Sequence, residues 1–473
     1  MSFATEARLA IEVLEAYLRD SQAGQEPTIR QPPLRELVET LGVEALLRDG
    51  GLEGERFREF LERYLSSTTR LHHPGFFAHQ VAPPEPLGAV GSLVDGITNN
   101  AMAIYEMGPA AAAIEFAVLN WMLGKVGWNP PPLPPARPQA GVHAGGVLVN
   151  GGSLANLTAL LAARGRADPG AWRAGPGRDL VLVAPTSAHY SIARAAGILG
   201  LGQESLVSAP TDEDGRLVPD RLPALLRDLR QAGRRVMALV ASACSTAVGL
   251  YDPLREVGRF CRENGIWLHV DGAHGASALL SERLRARLDG VELADSLVWD
   301  AHKMLRAPTL CAAVLARDGR DLDRAFQQEA SYLLHAKDEP GFDFMSRTVE
   351  CTKAGLGLRL LLSLARGGER EAARYVERQT DLAVEVASRL RREAGWEVAV
   401  EPESNIVCFR LAGSDARVLE IRRQLLAAGR HYLSSTEFRG RRWLRLALMS
   451  PATTLDEIGA LVAEVNAIAG EIA

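Results

Sequence analysis

Ser296-Leu297-Val298-Trp299-Asp300-Ala301-His302-Lys303 and, upstream, Ile266-Trp267-Leu268-His269-Val270-Asp271-Gly272-Ala273-His274 are two apolar runs that end in polar residues. Each reads as a buried strand, because strands covered on both faces lack the usual polar alternation. Further short apolar runs at 181–184, 205–208, 236–242 and 310–315 also read as strands. Helical stretches at 191–199, 219–232, 254–264 and 281–288 separate most of them. Strands alternating with helices predict an α/β fold around a mainly parallel sheet.

The flanks differ. Residues 5–65 show apolar positions at helical spacing, broken at Gln31-Pro32-Pro33, with the pattern resuming over 34–64 around Gly50-Gly51. Residues 87–128 are apolar and helix-prone, interrupted near Gly108-Pro109. The proline run at 130–135 is a loop, since proline cannot propagate a helix. Beyond about residue 370 a long amphipathic helix (371–393) precedes strand candidates at 396–400, 406–411 and 443–449, with helices at 418–428 and 455–472. That order predicts a small α+β domain with an antiparallel sheet. The expected division is 1–70, 71–369 and 370–473.

The bulk numbers exclude several classes. With 47% apolar and 23% charged residues the profile is globular, and a net charge of −5 leaves no basic footprint for nucleic acid. The five cysteines are scattered without a Cys-x-x-Cys pair, so neither a metal knot nor a disulfide framework is expected, which fits a cytoplasmic location. The N-terminal residues lack the apolar core of a signal peptide. The longest strongly apolar stretch, 236–251, is too short to span a bilayer, which takes about 20 residues.

Five places near strand ends offer chemistry. Gly151-Gly152-Ser153 leads from an apolar run into a helix, where free backbone N–H groups could hold a phosphate; any tight turn into a helix looks similar. His189 follows a strand and could stack on a flat ring, or be structural. Thr246 follows the run at 236–242 and could bond a ligand oxygen, or only shape a turn. Asp271 ends a very apolar run, where an unpaired charge is costly, so it needs a partner: a pyridinium N–H, a salt bridge or a helix cap. Ala273, two residues on, leaves room for a flat ring. A lysine such as Lys303 in a dry pocket becomes a usable amine. In a parallel sheet all these strand ends lie on one edge, where ligands bind. Together they are what pyridoxal 5'-phosphate (PLP) requires: a carboxylate for the ring nitrogen and a lysine to carry the aldehyde.

The sequence resembles the group II PLP-dependent amino-acid decarboxylases, which include the aromatic-L-amino-acid, glutamate, cysteine-sulfinate and histidine decarboxylases. The resemblance rests on Asp271-Gly272-Ala273-His274 and His302-Lys303 and runs from about His73 to the C-terminus. It implies a fold-type I PLP enzyme with a mainly parallel seven-stranded sheet, a small C-terminal α+β domain and an N-terminal helical segment packing on a partner subunit. It implies that Lys303 binds the aldehyde, Asp271 pairs with the pyridine nitrogen and His189 stacks on the ring. Ser153 would hold phosphate, with Gly152 beside it among the cofactor-binding residues and His302 close by as a catalytic candidate that could bear on phosphate or substrate; Thr246 would lie near the ring oxygen. Arg445, in Trp443-Leu444-Arg445-Leu446, resembles the arginine that takes the substrate's α-carboxylate. The segment Asn99-Asn100-Ala101-Met102-Ala103-Ile104-Tyr105-Glu106-Met107-Gly108-Pro109 most resembles the glutamate and cysteine-sulfinate branch, and the resemblance implies a homodimer in which it helps form the partner's pocket. Asn99, Ala101, Ala103, Phe77 and His79 are therefore substrate-site candidates.

Three departures bear on function. Asp300 stands where the family has an asparagine; its negative charge would repel phosphate, so it is expected to point elsewhere or bond a backbone donor. Ala101 and Ala103 replace an asparagine and a phenylalanine of glutamate decarboxylases, which points away from glutamate and towards a bulkier, less polar amino acid. Residues 335–349 contain no tyrosine, although the resemblance implies one as proton donor there; Tyr332 matches a different position, and His335 or a partner-chain group could serve instead. The expected activity is decarboxylation of an L-amino acid to an amine. The alternatives are aldehyde-forming oxidative deamination, transamination or another lyase reaction, and a non-enzymatic interaction module.

Overall fold

The structure, a computed structural model, describes residues 2–133, 142–326 and 341–472. The chain forms two compact units. The larger comprises Pro84–Asp381 with Pro402–Ser404; the smaller comprises Met1–Pro83, Leu382–Glu401 and Asn405–Ala473.

The larger unit is built on a seven-stranded sheet of β1 (Gly145–Val149), β2 (Leu180–Ala184), β3 (Leu206–Ser208), β4 (Arg235–Ser242), β5 (Trp267–Asp271), β6 (Ser296–Asp300) and β7 (Ala312–Ala316). The spatial order is β1-β7-β6-β5-β4-β2-β3. Only β7 runs antiparallel to its neighbours, so β1, β2, β4, β5 and β6 all end on one edge. Every residue of β1, β2, β6 and β7 is buried, as the apolar sequences of β1, β2 and β7 and the Leu297-Val298-Trp299 centre of β6 require. The helix Gly152–Ala167 buries an Ala- and Leu-rich face against the sheet, and Leu254–Asn264 shows Leu254, Val257 and Cys261 at helical spacing inward.

Among the described residues of this unit is a fully buried ion pair. Glu115, on the helix Pro109–Val126, accepts from the Leu148 N–H at 3.0 Å and from Lys353 Nζ at 2.6 Å. Both charged side chains are 0% exposed, and burial pushes the Glu115 carboxyl up from its ordinary range.

The expected helix at 281–288 does not form as an α-helix. Residues there make short 3-10 turns, Gly275–Leu280, Arg285–Leu288 and Val291–Leu293. Ser281 Oγ caps Leu284 N–H, and Gly290 at φ 92° stops the chain before a second α-turn could close. Gly145–Val149, read only as an apolar run, is strand β1.

In the smaller unit β8 (Trp396–Val398), β9 (Ile406–Leu411), β10 (Ser434–Phe438) and β11 (Arg441–Ala447) form an antiparallel sheet in the order β10-β11-β9-β8. Strand β10 was not expected, because Ser434-Ser435-Thr436-Glu437 is polar and only half-buried. It is specified by its turn: Arg439 and Gly440 both take positive φ, the geometry that matches strand twist in a two-residue hairpin. Phe77, Val386, Leu390, Phe409, Leu444 and Ile458 belong to this unit's core. The N-terminal helices Phe3–Gln22, Leu34–Leu41, Val43–Asp49 and Glu55–Ser66 belong to it too, with Gly42 making a break the sequence reading placed only at Gly50-Gly51. No helix among the described residues is long and apolar enough to cross a membrane.

Candidate active site

The shared edge of the large sheet collects the predicted residues. Parallel register sets Ser242 of β4 beside Asp271 of β5, and Asp271 beside Val298 of β6. The chain leaving β4 carries Thr246, and the chain leaving β6 carries His302 and Lys303. The chain leaving β2 reaches His189, whose environment is dominated by burial and then by the charges of Asp271, Lys303 and Asp300. Burial holds the His189 imidazole below its ordinary value, so a neutral ring faces the group.

Asp271 is firmly held. One oxygen accepts from the Ala273 N–H at 3.2 Å and the other from Asn156 Nδ2 at 3.0 Å. Asn156 is the fifth residue of the helix Gly152–Ala167, three residues after Ser153, so the helix that would meet a phosphate also grips the carboxylate. The half-buried Ser153 sits at that helix's start, after Gly151 at φ 96°. Gly152 approaches Asp300 so closely that an added Cβ would stand 2.7 Å from its Oδ2.

Asp300 neither turns away from this edge nor finds a backbone donor, contrary to the expectation. Its carboxylate is buried, with Oδ2 3.2 Å from Lys303 Nζ and 3.8 Å from His302 Nε2. Its Oδ1 has no hydrogen-bond partner. The reason is position: β6 delivers the side chain beneath Gly152, and the nearest opposite charge is the lysine three residues on. His302 is buried with its Nδ1 bonded to the Cys311 carbonyl at 2.9 Å.

The other candidates are placed as follows. Asn99 is an exposed, left-handed C-cap at φ 47° of the helix Pro86–Thr98. Ala101 is half-buried, and Ala103 is buried at 1% exposure with its carbonyl accepting from Met345 N–H. Arg445, Phe77 and His79 belong to the smaller unit. There Arg445 is buried and donates to the Ala78 carbonyl and to Ser434 Oγ, both at 3.4 Å. His79 bonds the Tyr432 hydroxyl at 2.9 Å, while Phe77 is fully buried with its ring parallel to His431. Tyr332 and His335 lie outside the described residues.

Sequence reasoning missed Asn156, His269, Ser191 and Ser296, which form a polar network behind Asp271. The available signal was His269 itself, a polar residue in the middle of an apolar strand.

These residues fit PLP. An anchored carboxylate, a partly exposed lysine, a neutral imidazole and a helix start meet on one edge, and an orphaned buried oxygen on Asp300 marks a place where a bound group would change the balance. An edge of this kind defines a PLP enzyme of the α/β class. The comparisons agree: the model of the pyridoxal-dependent decarboxylase conserved domain matches residues 58–412. Cysteine sulfinic acid decarboxylase of Mus musculus is 30% identical over 84% of this chain and 79% of its own. Aromatic-L-amino-acid decarboxylase of Bacillus atrophaeus is 29% identical over 90% of this chain and 87% of its own. The crystal structure of mouse CSAD in apo form superposes with a TM-score of 0.89 at 24% identity, covering 98% of both chains. The chain belongs to the pyridoxal-dependent decarboxylase family. It is a PLP-dependent amino-acid decarboxylase, and its cofactor is PLP.

Proposed function

We propose that the enzyme decarboxylates an L-amino acid with an apolar or aromatic side chain, rather than glutamate, and releases CO2 and the amine. The observation that carries this is Ala101 with Ala103, two small apolar residues that offer no donor to an acidic side chain. The relatives' names span acidic and aromatic substrates, so they do not select between them. A screen of the common amino acids with purified enzyme, following CO2, amine and aldehyde together, tests the reading. Fastest turnover on glutamate or another acidic amino acid would sink it.

When bound, PLP supplies an aldehyde and an electron-withdrawing ring that accepts the electrons left as CO2 departs. The chain's own residues do the rest. Lys303 Nζ provides the amine that anchors the aldehyde. Asp271, fixed by Ala273 and Asn156, would pair with the ring nitrogen and favour its protonated form. His189 would stack on the ring, with Ala273 leaving room for it. Ser153 would hold the phosphate with Gly152 and His302 close by, and Thr246 would lie near the ring oxygen. Arg445 takes the substrate's α-carboxylate, with Asn99, Phe77 and His79 as further substrate-site residues.

The reading includes a homodimer with active sites at the interface, in which residues 1–70 pack on the partner, 71–369 bind PLP and 370–473 form the small domain. Exposed Val90 (50%), Leu93 (46%), Val94 (42%) and Ile97 (61%) on the helix Pro86–Thr98 give an apolar face that supports it. A cytoplasmic location is supported by five cysteines without a disulfide. A second reading, oxidative deamination to an aldehyde, is favoured by the absence of tyrosine in 335–349. Stoichiometric ammonia and peroxide with oxygen uptake would establish it; clean amine and CO2 would dismiss it.

A further inference from the structure

Behind Asp271 runs an unbroken line of buried polar groups. Trp267 Nε1 lies 2.8 Å from Ser296 Oγ, which lies 2.8 Å from His269 Nδ1. His269 Nε2 lies 3.0 Å from Asn156 Oδ1. Asn156 Nδ2 lies 3.0 Å from Asp271 Oδ2 and 2.9 Å from Ser191 Oγ. Ser191 Oγ in turn lies 2.8 Å from His189 Nδ1.

The chemistry of the two ends fixes the direction of every bond. The Asp271 carboxylate can only accept, so Asn156 turns Nδ2 to it and Oδ1 to His269 Nε2, which must donate; the Ser296 hydroxyl, which accepts from the Trp267 N–H, then gives its own proton to the remaining ring nitrogen. That nitrogen is Nδ1, and the His269 proton sits on Nε2, facing Asn156 Oδ1. The amide nitrogen of Asn156 is then turned to Asp271 and Ser191 and gives each one hydrogen. His189 Nδ1 also faces the Ser191 backbone N–H at 3.3 Å, which can only donate, so Nδ1 is an acceptor and takes the Ser191 hydroxyl proton as well. His189 therefore carries its proton on Nε2. Burial keeps His269 neutral by driving it down to about 4, so it has one proton to place and not two.

We propose that Asn156 and His269 are positioning residues of this site, a one-way hydrogen-bond chain from Trp267 that keeps Asp271 Oδ2 an acceptor and sets the tautomer of His189. The chain runs backwards only if Asp271 gains a proton at Oδ2, and reversal would leave the Ser296 hydroxyl proton without an acceptor in a buried place. The network therefore resists protonation of the carboxylate that must face a ring N–H. It also presents an N–H, not a lone pair, at the free edge of His189. This inference rests on the assignment of Asp271 and His189 to PLP.

The test has two arms. In holoenzyme labelled with 15N-histidine, the signals of His269 and His189, assigned from His269→Gln and His189→Asn, are expected as neutral Nε2–H tautomers at neutral pH. An Nδ1–H tautomer at His269 overturns the chain direction, and this arm needs no folded variant beyond the assignments. In the second arm PLP itself is the probe. Asn156→Leu and His269→Phe are expected to weaken PLP binding at least tenfold and to shift the visible absorbance band of the bound cofactor. His269→Gln, which can still donate to Asn156 Oδ1, is expected to stay within threefold of wild type. If Asn156→Leu and His269→Phe fold and bind PLP with wild-type affinity and spectrum, the two residues are merely structural. If Asp271→Asn also leaves affinity and spectrum unchanged, the site assignment itself fails.

Discussion

Asp271 and Asp300 end neighbouring parallel strands on the same edge, yet they are finished differently. Asp271 has donors on both oxygens, a backbone N–H and the Asn156 amide, and a line of buried groups behind it. Asp300 is more deeply buried, but has Lys303 on one oxygen and nothing on the other. A buried carboxylate with complete bonding is set for one role. One that is half-satisfied, and whose cation is the lysine proposed to react, belongs to a site whose electrostatics would change with cofactor bound. On the proposed reading the site thus has a fixed side, at Asp271, and a side that would rearrange, at Lys303.

The largest expected effect lies on the changing side. Lys303→Ala removes the amine proposed to anchor the aldehyde, so the Schiff-base absorbance and all measurable turnover should disappear. Retention of either in the purified variant would refute the role of Lys303 and dissolve the contrast with Asp271.

A second buried carboxylate sharpens the comparison because its partner never leaves. Glu115 and Lys353 neutralise each other at zero exposure. Glu115→Gln strands the ammonium in the core and should cost about 3–5 kcal/mol, read as a lower urea midpoint. Glu115→Gln with Lys353→Met, which keeps an acceptor for the Leu148 N–H, should recover most of that, because replacing both charges of a buried pair by neutral groups is often near neutral. If the double variant is no better than the single ones, the pair has a role beyond mutual neutralisation.

The sequence disclosed these regions unequally. The parallel sheet was legible because strands covered on both faces carry unbroken apolar runs, and Lys303, Asp271 and His189 stand out where such runs stop. Strand β10 was hidden because a polar edge strand takes its shape from the Arg439-Gly440 turn and its pairing with β11, not from its own composition. Asn156 was hidden for a related reason. It reads as an ordinary helix residue until the sheet brings β5 beneath its helix, a long-range contact that no local pattern encodes. Asp300 was flagged by its charge alone, but its pairing with Lys303 depends on how the chain turns after β6.

On the fixed side, His269 gives a pH signature. Burial lowers it from 6.5 to about 4, so the folded protein binds its proton less readily than the unfolded chain. Its contribution is therefore complete above about 6.5 and is lost as pH falls towards 4, amounting to at most about 3 kcal/mol. Urea midpoints measured between those pH values should fall with acid, and His269→Gln should lose less over the same window. A variant that falls as steeply as wild type would place the acid sensitivity elsewhere.

The smallest effect expected is also the one that most directly probes the half-satisfied aspartate. Asp300 holds Lys303 as its ion-pair partner, and on the proposed reading that pair would have to open before the amine could anchor PLP. The same negative charge lies against Gly152, at the helix start proposed to receive the phosphate. Both effects oppose cofactor binding, and asparagine removes both while keeping the shape of the side chain. Asp300→Asn should therefore bind PLP more tightly, by about tenfold or roughly 1.4 kcal/mol, in a fluorescence titration of the cofactor-free protein. Most of the gain should appear as faster association, because the obstacle is the pair that must open. Weaker binding in Asp300→Asn would mean that Asp300 itself helps to hold the cofactor, and the edge would then have two fixed sides instead of one.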